Sequence, residues 1–421
     1  MAGNCEDLVD CGLIEAERDW ITSVFKQYRV SYTRGFIPDE DPMLEFTNPY
    51  FSPWDEIFKN ITHLIQCKKL REVVENMPLL DHTRLISHQE RARASLVLSA
   101  LGNGYVWQNG EHNPVKVIPK CLAIPWVAVA KFTGTCPVIC HWDLVLNNWK
   151  IKDKTKPLNI DNVETQFLFT GFKDEFWFDG VTWQLELDAV PGIKSVVAAQ
   201  KAVTDDNIEL MKTCLVILRK TIERLKETLS RMLEHCRPEF FYGKIRIFLA
   251  GWKNYETFPE GLFYEGVDSK PMQFSGGSAA QSTTFQIFDA VLGVVHPKVE
   301  DGEKSFLESM LDYMPRWHRE FVFYVRNGPS VRDYVQNCKC DVLKKLYNDC
   351  VESLQKFRSF HIQIVTRYII NQARKGEHSG IKMLASQGTG GTGIMPFLKG
   401  VRKETADVKI SRTNETHDLC K

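Results

Sequence analysis

The sequence predicts a mainly α-helical protein in which a large helical domain follows a smaller, mixed α/β domain. Apolar residues from Ile208 to Leu233 recur every three or four positions, which is the period of a long amphipathic helix. Residues 349–370 have the same period and contain neither Gly nor Pro. The chain before residue 138 carries only short, mixed signals. We therefore expect a mixed domain over 1–138, a helical domain over 139–402 and a polar tail over 403–421.

The first domain is expected to contain two helices followed by extended pieces. Ser52 is a predicted N-cap with proline at the first helical position, and an apolar stripe continues from there toward Met77. A second helix is expected over residues 81–100, ended by the glycine-rich break at 102–104. Residues 105–138 are rich in Pro, Val and Ile, which favours short extended segments and turns.

The second domain is expected to be a helical bundle. Its long helix should begin after Thr204, with Asp205 and Asp206 favoured by the helix dipole at the N-terminal end. Further helices are predicted over 241–252, 282–295, 303–313 and 349–370. The polar run 372–387 predicts a mobile surface loop, and the charged tail from Lys403 is expected to fray.

Two runs of small residues are candidate binding loops. Residues 388–393, GTGGTG, resemble a phosphate-binding loop but lack its Lys-Ser/Thr ending and do not follow a clear strand. Such a run can instead close over a ligand and donate backbone N–H and hydroxyl groups to it. The run GGSAA (276–280) is either a plain turn or a close approach to a flat cofactor.

Composition narrows the class of protein. Lys+Arg and Asp+Glu each number 53, so the formal net charge is zero and no basic field favours nucleic acid. We predict no signal peptide and no membrane span, because the start is acidic and the apolar runs are short. The twelve cysteines lack metal-binding spacing, which favours free thiols in a reduced compartment. We expect a soluble, cytoplasmic monomer.

One histidine lies in the middle of an apolar helical face. His361 shares this face with Leu354, Phe357 and Val365, and Arg358 lies about one turn before it. A buried imidazole must satisfy its ring nitrogens through hydrogen bonds or a metal. The pattern is therefore that of either a hydrogen-bonded core histidine or a haem ligand with an arginine near a propionate.

Several long motifs resemble those of the indoleamine 2,3-dioxygenases, and they follow the family's order from about residue 54 to 402. The motifs are FFYGKIRIFLAGW (240–252), FSGGSAAQSTTFQIFD (274–289), RSFHIQIV (358–365) and GTGGTGIMPFLKGVR (388–402). The resemblance implies a small α/β domain and a large helical domain that binds one haem b. It also implies that His361 is the proximal iron ligand and that Arg358 pairs with a haem propionate, with Phe285 and Ser278 beside the haem.

On the substrate side, Arg246 matches the family's arginine that binds the substrate carboxylate. The resemblance implies that Thr182, Phe241 and Arg246 are the catalytic residues. The other implied substrate-binding residues are His141, Phe178, Leu249, Gly277, Ser278, Ala279 and Thr389. Two of these positions depart from the family pattern. Thr182 stands where many members have a serine, and it keeps the hydroxyl. His141 stands where high-affinity vertebrate members have a tyrosine, and it either donates a hydrogen bond to bound O₂ or merely lines the wall.

The resemblance implies a haem dioxygenase that opens the indole ring of L-tryptophan at C2–C3 to give N-formylkynurenine, with O₂ and a cellular reductant. Such chemistry requires positioning of a flat ring more than acids and bases. The alternative is an oxygen-storage protein, because gastropod molluscs use members of this family as myoglobins. Arg246, Phe241 and Thr389 together favour the enzyme, since an oxygen carrier has no use for an amino-acid clamp.

Overall fold

Helices form most of the chain, so the predicted mainly α-helical fold is confirmed. The structure is a computed structural model that describes residues 12–113, 115–255, 257–297, 304–376, 388–389 and 393–411. The helices of the first part are α1 Gly12–Ala16, α2 Arg18–Gln27, α3 Ser52–Lys59, α4 Ile61–Gln66, α5 Leu70–Glu75, α6 His88–Trp107 and α7 Lys120–Thr133. Those that follow are α8 Lys173–Asp188, α9 Val190–Thr204, α10 Ile208–Ser230, α11 Met232–His235, α12 Pro238–Phe240, α13 Thr283–Val291, α14 Phe306–Met310, α15 Arg316–Asn327, α16 Val331–Asn337, α17 Asp341–Val365, α18 Asn371–Gly376 and α19 Ile394–Asp407.

The described strands are short and form two separate pairs. They are β1 Val117–Ile118, β2 Lys150–Ile151, β3 Val163–Glu164 and β4 Phe263–Tyr264. β1 runs parallel to β4, with Val117 opposite Phe263. β2 runs antiparallel to β3, with Lys150 opposite Glu164. The β1–β4 pair therefore joins a segment before residue 138 to one far beyond it.

The long helix α10 lies at the centre of the helical packing, with α9 and α17 along it. Its predicted apolar face is buried at Leu215, Ile222 and Leu225. The helix begins at Ile208 because the Asn207 side chain accepts the N–H of Leu210 at 3.0 Å and caps it. Asp205 and Asp206 precede the cap instead of occupying the first turn.

The predicted end of the second helix at residues 102–104 is wrong. α6 starts after a capping box at Ser87 and continues through both glycines. These glycines allow close packing rather than ending the helix. A Cβ on Gly102 would lie 2.0 Å from the ring of Trp126, and one on Gly104 would lie 2.7 Å from a methyl carbon of Leu70.

The extended segments predicted for residues 105–138 are also mostly wrong, because α7 occupies much of this range. The helix contains Pro125, which usually breaks an interior turn. Apolar residues are buried around most of its surface, so the sequence shows no clear amphipathic period. It ends at Gly134, which adopts a left-handed φ of 85° and donates its N–H to the carbonyl of Ala130 at 2.8 Å.

Several other predicted boundaries shift. α3 includes Ser52, and Phe51 takes the N-cap position after a short 3₁₀ turn capped by Asn48. The stripe toward Met77 is divided among α3, α4 and α5. The helix predicted over 282–295 is the shorter α13, and the one predicted over 303–313 is α14 followed by a 3₁₀ turn. α18 occupies the start of the predicted loop at 372–387, whose residues from 377 lie outside the described ranges.

The predicted fraying from Lys403 is wrong as far as the structure describes the tail. α19 continues to Asp407, and Val408 and Ile410 are buried after it. Asn348 holds this segment through two hydrogen bonds with the backbone of Ile410, each of 2.9 Å. The end of α19 is therefore part of the core.

The described cysteines are free thiols, as expected. Burial raises the pKa of Cys136 and of Cys236 to about 12, so both are protonated near neutral pH. In the described ranges, no helix has the combination of length and apolar character that a membrane span requires.

Candidate active site

All of the predicted site residues line one cavity of about 330 Å³. They come from α8, α13, α17 and from shorter turns and loops before, between and after these helices. The residues are His141, Phe178, Thr182, Phe241, Arg246, Leu249, Gly277, Ser278, Ala279, Phe285, Arg358, His361 and Thr389. The structure thus brings them together, while the role of each remains a prediction.

Within the described ranges, three π-helical turns contribute to the cavity wall. They are Trp142–Asn147, Phe241–Ile245 and Thr366–Ile370. A π-turn inserts an extra residue into the helical repeat and changes which side chains face one direction. This explains how Phe241 and Arg246 both reach the cavity, because residues five apart on a regular α-helix point about 140° away from each other. The helix predicted over 241–252 is therefore only partly right: residues 241–249 are helical, but they form a π-turn and a 3₁₀ turn that ends at Leu249.

His361 lies on α17, where its apolar face is confirmed. Leu354, Phe357 and Val365 are buried on the same face. Burial, followed by the charge of Arg358, lowers the pKa of His361 to about 4, so the imidazole is neutral near neutral pH. No described residue forms a hydrogen bond with its ring, which leaves a lone pair available at the cavity. A neutral imidazole is the form that binds haem iron, so the side chain fits the proximal role.

Arg358 lies in a buried network that connects three helices. Its Nη2 donates to both carboxylate oxygens of Asp289 at 2.6 Å, and its Nη1 donates to Thr405 Oγ1. His296 bridges Asp289 and Glu404, with Nε2 3.1 Å from Asp289 Oδ2 and Nδ1 2.5 Å from Glu404 Oε2. The network thereby ties α13 and α19 to the helix that carries His361.

The charges in this network are mutually stabilised. Burial alone would raise the pKa of Asp289, but the guanidinium of Arg358 and the His296 imidazole outweigh it and lower the pKa. Burial alone would lower the pKa of His296, but its bonds to Asp289 and Glu404 raise it. His296 therefore holds a proton more readily than an ordinary histidine.

Arg246 follows the π-turn that carries Phe241 and is fully buried. Its guanidinium carbon lies 5.5 Å from the centre of the Tyr242 ring, within the range of a cation–π contact. Burial lowers the pKa of Arg246, and Tyr255, Tyr242 and Glu111 partly offset this effect. A buried guanidinium at a cavity wall is a strong site for a planar anion such as a carboxylate.

Aromatic rings form much of the remaining wall. The rings of Phe178 and Phe241 have centroids 4.7 Å apart, and Tyr368 meets Phe241 edge-on at 5.9 Å. Phe285 stacks on Phe357 at 4.9 Å with an interplanar angle of 25°. These surfaces suit flat, apolar ligands.

The hydroxyl of Thr182 is engaged within its own helix. Its Oγ1 donates to the carbonyl oxygen of Phe178, one turn earlier, at 2.8 Å. The proton is thus committed to the backbone, as is common for threonine in helices. The oxygen retains lone pairs that can accept a hydrogen bond from a ligand.

The loop around Gly277 is held against the segment that follows Arg246. Gly276 and Gly251 pack backbone against backbone, and a Cβ on Gly276 would lie 2.1 Å from the carbonyl oxygen of Leu249. Thr389 connects both segments, because its carbonyl accepts the N–H of Gly276 at 3.0 Å and the N–H of Gly251 at 3.4 Å. Its hydroxyl also donates to the carbonyl of Gly277 at 2.6 Å. Gly276 therefore serves this backbone contact, and Gly277 lines the cavity.

Ser278 and Gln281 form a capping box at the start of a 3₁₀ turn over Ala279–Gln281. The Gln281 side chain also donates to the carbonyl of Gly276 at 2.9 Å and accepts the backbone N–H of His141 at 3.0 Å. This side chain therefore joins the glycine loop to the segment of His141.

Three residues that hold predicted site residues in place are absent from the sequence-based predictions. Asp289 binds Arg358, Gln281 binds the backbone of His141, and Glu186 lies with its Oε1 2.8 Å from His141 Nε2. Glu186 follows Thr182 by four positions, so its place on the same helical face could have been noticed. The contacts of the other two join distant parts of the chain and leave no local signal.

The sequence pattern of a family described as "Indoleamine 2,3-dioxygenase" matches residues 24–408. The chain is 42% identical to "Indoleamine 2,3-dioxygenase 2" of Homo sapiens, covering 91% of this chain and 94% of that protein. It is 36% identical to "Indoleamine 2,3-dioxygenase 1" of Mus musculus, covering 88% of this chain and 92% of that protein. A "Myoglobin" of Haliotis madaka is also similar, at 33% identity over 91% and 98% of the two chains. The predicted resemblance is confirmed, and the match extends it toward both ends of the chain.

We predict that His296 stabilises the fold in a pH-dependent way. A raised folded-state pKa means that this contribution is complete below the ordinary histidine pKa of about 6.5 and is lost as the pH rises through the raised value. His296→Gln should therefore have a lower free energy of unfolding than the parent at mildly acidic pH. This difference between parent and variant should shrink in alkaline solution. Urea denaturation across the pH range measures this difference.

His88 provides a control of opposite sign. Burial, then Arg29 and Arg91, lowers its pKa to about 4, so the parent loses stability from this residue as the pH falls below about 6.5. As the pH falls below about 6.5, His88→Gln should therefore become more stable relative to the parent. A gap between the parent and His296→Gln that stays constant with pH would contradict the assignment of a raised pKa to His296.

Proposed function

We propose that this protein inserts O₂ across the C2–C3 bond of L-tryptophan to yield N-formylkynurenine. The chain belongs to the indoleamine 2,3-dioxygenase family and is an oxidoreductase of that type. The charge of the cavity carries this proposal. Among the described residues that line it, the charged side chains are Arg246 and Arg358, and none is a carboxylate. Two cations in an apolar, aromatic cavity suit two anionic occupants, namely haem with its propionates and an amino acid with its carboxylate.

The haem side of the cavity would be formed by residues of α13 and α17. The neutral imidazole of His361 would bind the iron, and Arg358 would pair with a propionate while it keeps its contact with Asp289. Phe285 and Ser278 would flank the ring. When bound, haem b supplies the oxygen chemistry, and the protein supplies orientation and electrostatics.

The substrate side would be formed by Arg246 and the aromatic wall. The fork of Arg246 would take the carboxylate in a bidentate contact, while Phe178 and Phe241 confine the flat indole. Thr389 and the loop at Gly277 would close around the amino-acid end. Such a clamp lowers the barrier by holding the ring in a reactive orientation, and it needs no general base.

A myoglobin-like oxygen-storage protein is the second candidate, supported by the similarity to the Haliotis protein. An oxygen-storage protein does not need a buried arginine at the substrate end of the cavity, so the presence of Arg246 favours the enzyme. We further propose a cytoplasmic monomer whose iron is kept ferrous by a cellular reductant.

We predict that His361→Ala loses haem. Removal of the proximal imidazole leaves no described histidine side chain on the same face of α17, so the purified variant should retain little haem and lack the imidazole-ligated Soret spectrum. His318→Ala is the matched control, because burial lowers the pKa of His318 to about 3, which makes it neutral like His361, and it does not line the cavity. Full haem content in His361→Ala would disprove the ligand assignment.

We predict that Arg246→Ala weakens tryptophan binding and spares haem. A charge-assisted hydrogen bond contributes roughly 1.5–3 kcal/mol, so the dissociation constant for L-tryptophan should rise about 10- to 150-fold. Arg246→Lys should recover part of this loss, because a single ammonium cannot reproduce the two-pronged contact. Spectral titration of the haem-bound variants with L-tryptophan measures the change.

The same titration separates the two candidate functions. Haem content and O₂ binding should be nearly unchanged in Arg246→Ala if its partner is the substrate. Loss of haem from this variant, together with no tryptophan-dependent spectral shift in the parent, would reject the carboxylate clamp and support oxygen storage.

A further inference from the structure

A buried carboxylate lies directly behind the cavity wall. Glu186 is on α8, and 3% of its surface is exposed. Its Oε1 accepts from Ser282 Oγ at 2.6 Å and lies 2.8 Å from His141 Nε2, while its Oε2 accepts from Thr284 Oγ1 at 2.7 Å. Ser282 and Thr284 are themselves buried at the start of α13. The carboxylate thus joins α8 and α13 to the segment of His141.

The contacts of Glu186 determine where its protons are. Burial alone would raise the pKa of Glu186, but His141, Ser282 and Thr284 outweigh burial and lower it. Glu186 is therefore ionised near neutral pH, and an ionised carboxylate can only accept hydrogen bonds. It follows that His141 Nε2 carries a hydrogen and donates it to Glu186.

The other nitrogen of the ring remains available to the cavity. No described residue forms a hydrogen bond with His141 Nδ1, and His141 lines the cavity. The backbone N–H of His141 is held by Gln281 at 3.0 Å, so the residue is fixed at its main chain as well as at its ring. Both anchors leave Nδ1 as the ring atom that can meet a ligand.

We propose that Glu186 is a positioning residue that holds His141 as the Nε2–H tautomer and directs Nδ1 to hydrogen-bond with the ligand. We take this ligand to be an amino acid with an indole N–H, and this identification rests on the function proposed above. A neutral imidazole in this tautomer has a lone pair at Nδ1 and accepts a hydrogen bond. His141 therefore favours ligands that donate an N–H, and it donates to the ligand only when it is an imidazolium.

The tautomer is read directly by NMR. The full-length protein is labelled with ¹⁵N-histidine and studied with haem and carbon monoxide bound, a diamagnetic state, and His141→Gln assigns the resonance. We expect His141 to show a protonated Nε2 and an unprotonated Nδ1. A chain that takes up no haem would count against the proposed function, and the same spectrum recorded on the chain as purified would still test this inference.

Three variants test whether Glu186 sets the tautomer. Glu186→Leu removes the acceptor and should give a mixture of tautomers, whereas Glu186→Gln should retain the Nε2–H form because its carboxamide oxygen can accept. Glu175→Leu is the matched control, since Glu175 is another buried glutamate of α8 that binds Thr170 and does not line the cavity. If Glu186→Leu does not fold, Glu186→Asp replaces it, because its shorter side chain withdraws the carboxylate by one carbon–carbon bond.

The outcomes are distinct. A protonated Nδ1 with a bare Nε2 in the parent would overturn the proposal, and so would an unchanged Nε2–H tautomer in Glu186→Leu or Glu186→Asp. In the haem-bound protein, Glu186→Leu should also raise the dissociation constant for L-tryptophan about 2- to 12-fold, the equivalent of one neutral hydrogen bond. Equal affinities in the parent, Glu186→Leu and Glu175→Leu would reject a contact between Nδ1 and the ligand.

Discussion

The cavity depends on the burial of two opposite charges, those of Arg358 and Asp289. A buried ion becomes tolerable when its partner and hydrogen bonds replace water, and breaking a buried pair costs about 3–5 kcal/mol. The pair therefore forces α13 and α17 together, and the bonds to Thr405 and through His296 to Glu404 add α19. His361 is on the helix so fixed, and α19 supplies apolar lining to the same cavity. The charge pair thus helps to fix the helix that carries the candidate iron ligand.

The acids of this site stand one layer behind the wall. Asp289 lies behind Arg358 and Glu186 lies behind His141, while the cavity itself is faced by arginines, imidazoles and aromatic rings. This arrangement stabilises the buried cations and orients the imidazole without placing a negative charge beside the ligand. The result is a cavity that attracts carboxylates and accommodates flat apolar rings. That combination supports the proposed occupants, haem and an aromatic amino acid, over haem that binds O₂ alone.

The sequence was informative where one local pattern determines the outcome. The apolar stripe around His361 and the long helix α10 followed from spacing, and the resemblance brought distant residues such as Arg246 and Thr389 to one site. The predictions that were wrong concern residues whose local structure is determined by tertiary packing. Gly102 resembles a helix stop until Trp126 is packed against it, and Pro125 resembles a breaker until its helix is buried. The π-turns and the contacts of Glu186 join parts of the chain whose proximity no local pattern records.

Dioxygenation in this cavity would leave an isotopic signature in the product. The haem-bound protein is reduced and then given L-tryptophan and ¹⁸O₂, and the product is analysed by mass spectrometry. We expect N-formylkynurenine that carries both oxygen atoms of one O₂ molecule. Reversible O₂ binding without any such product, in protein that contains haem and binds L-tryptophan, would contradict this expectation.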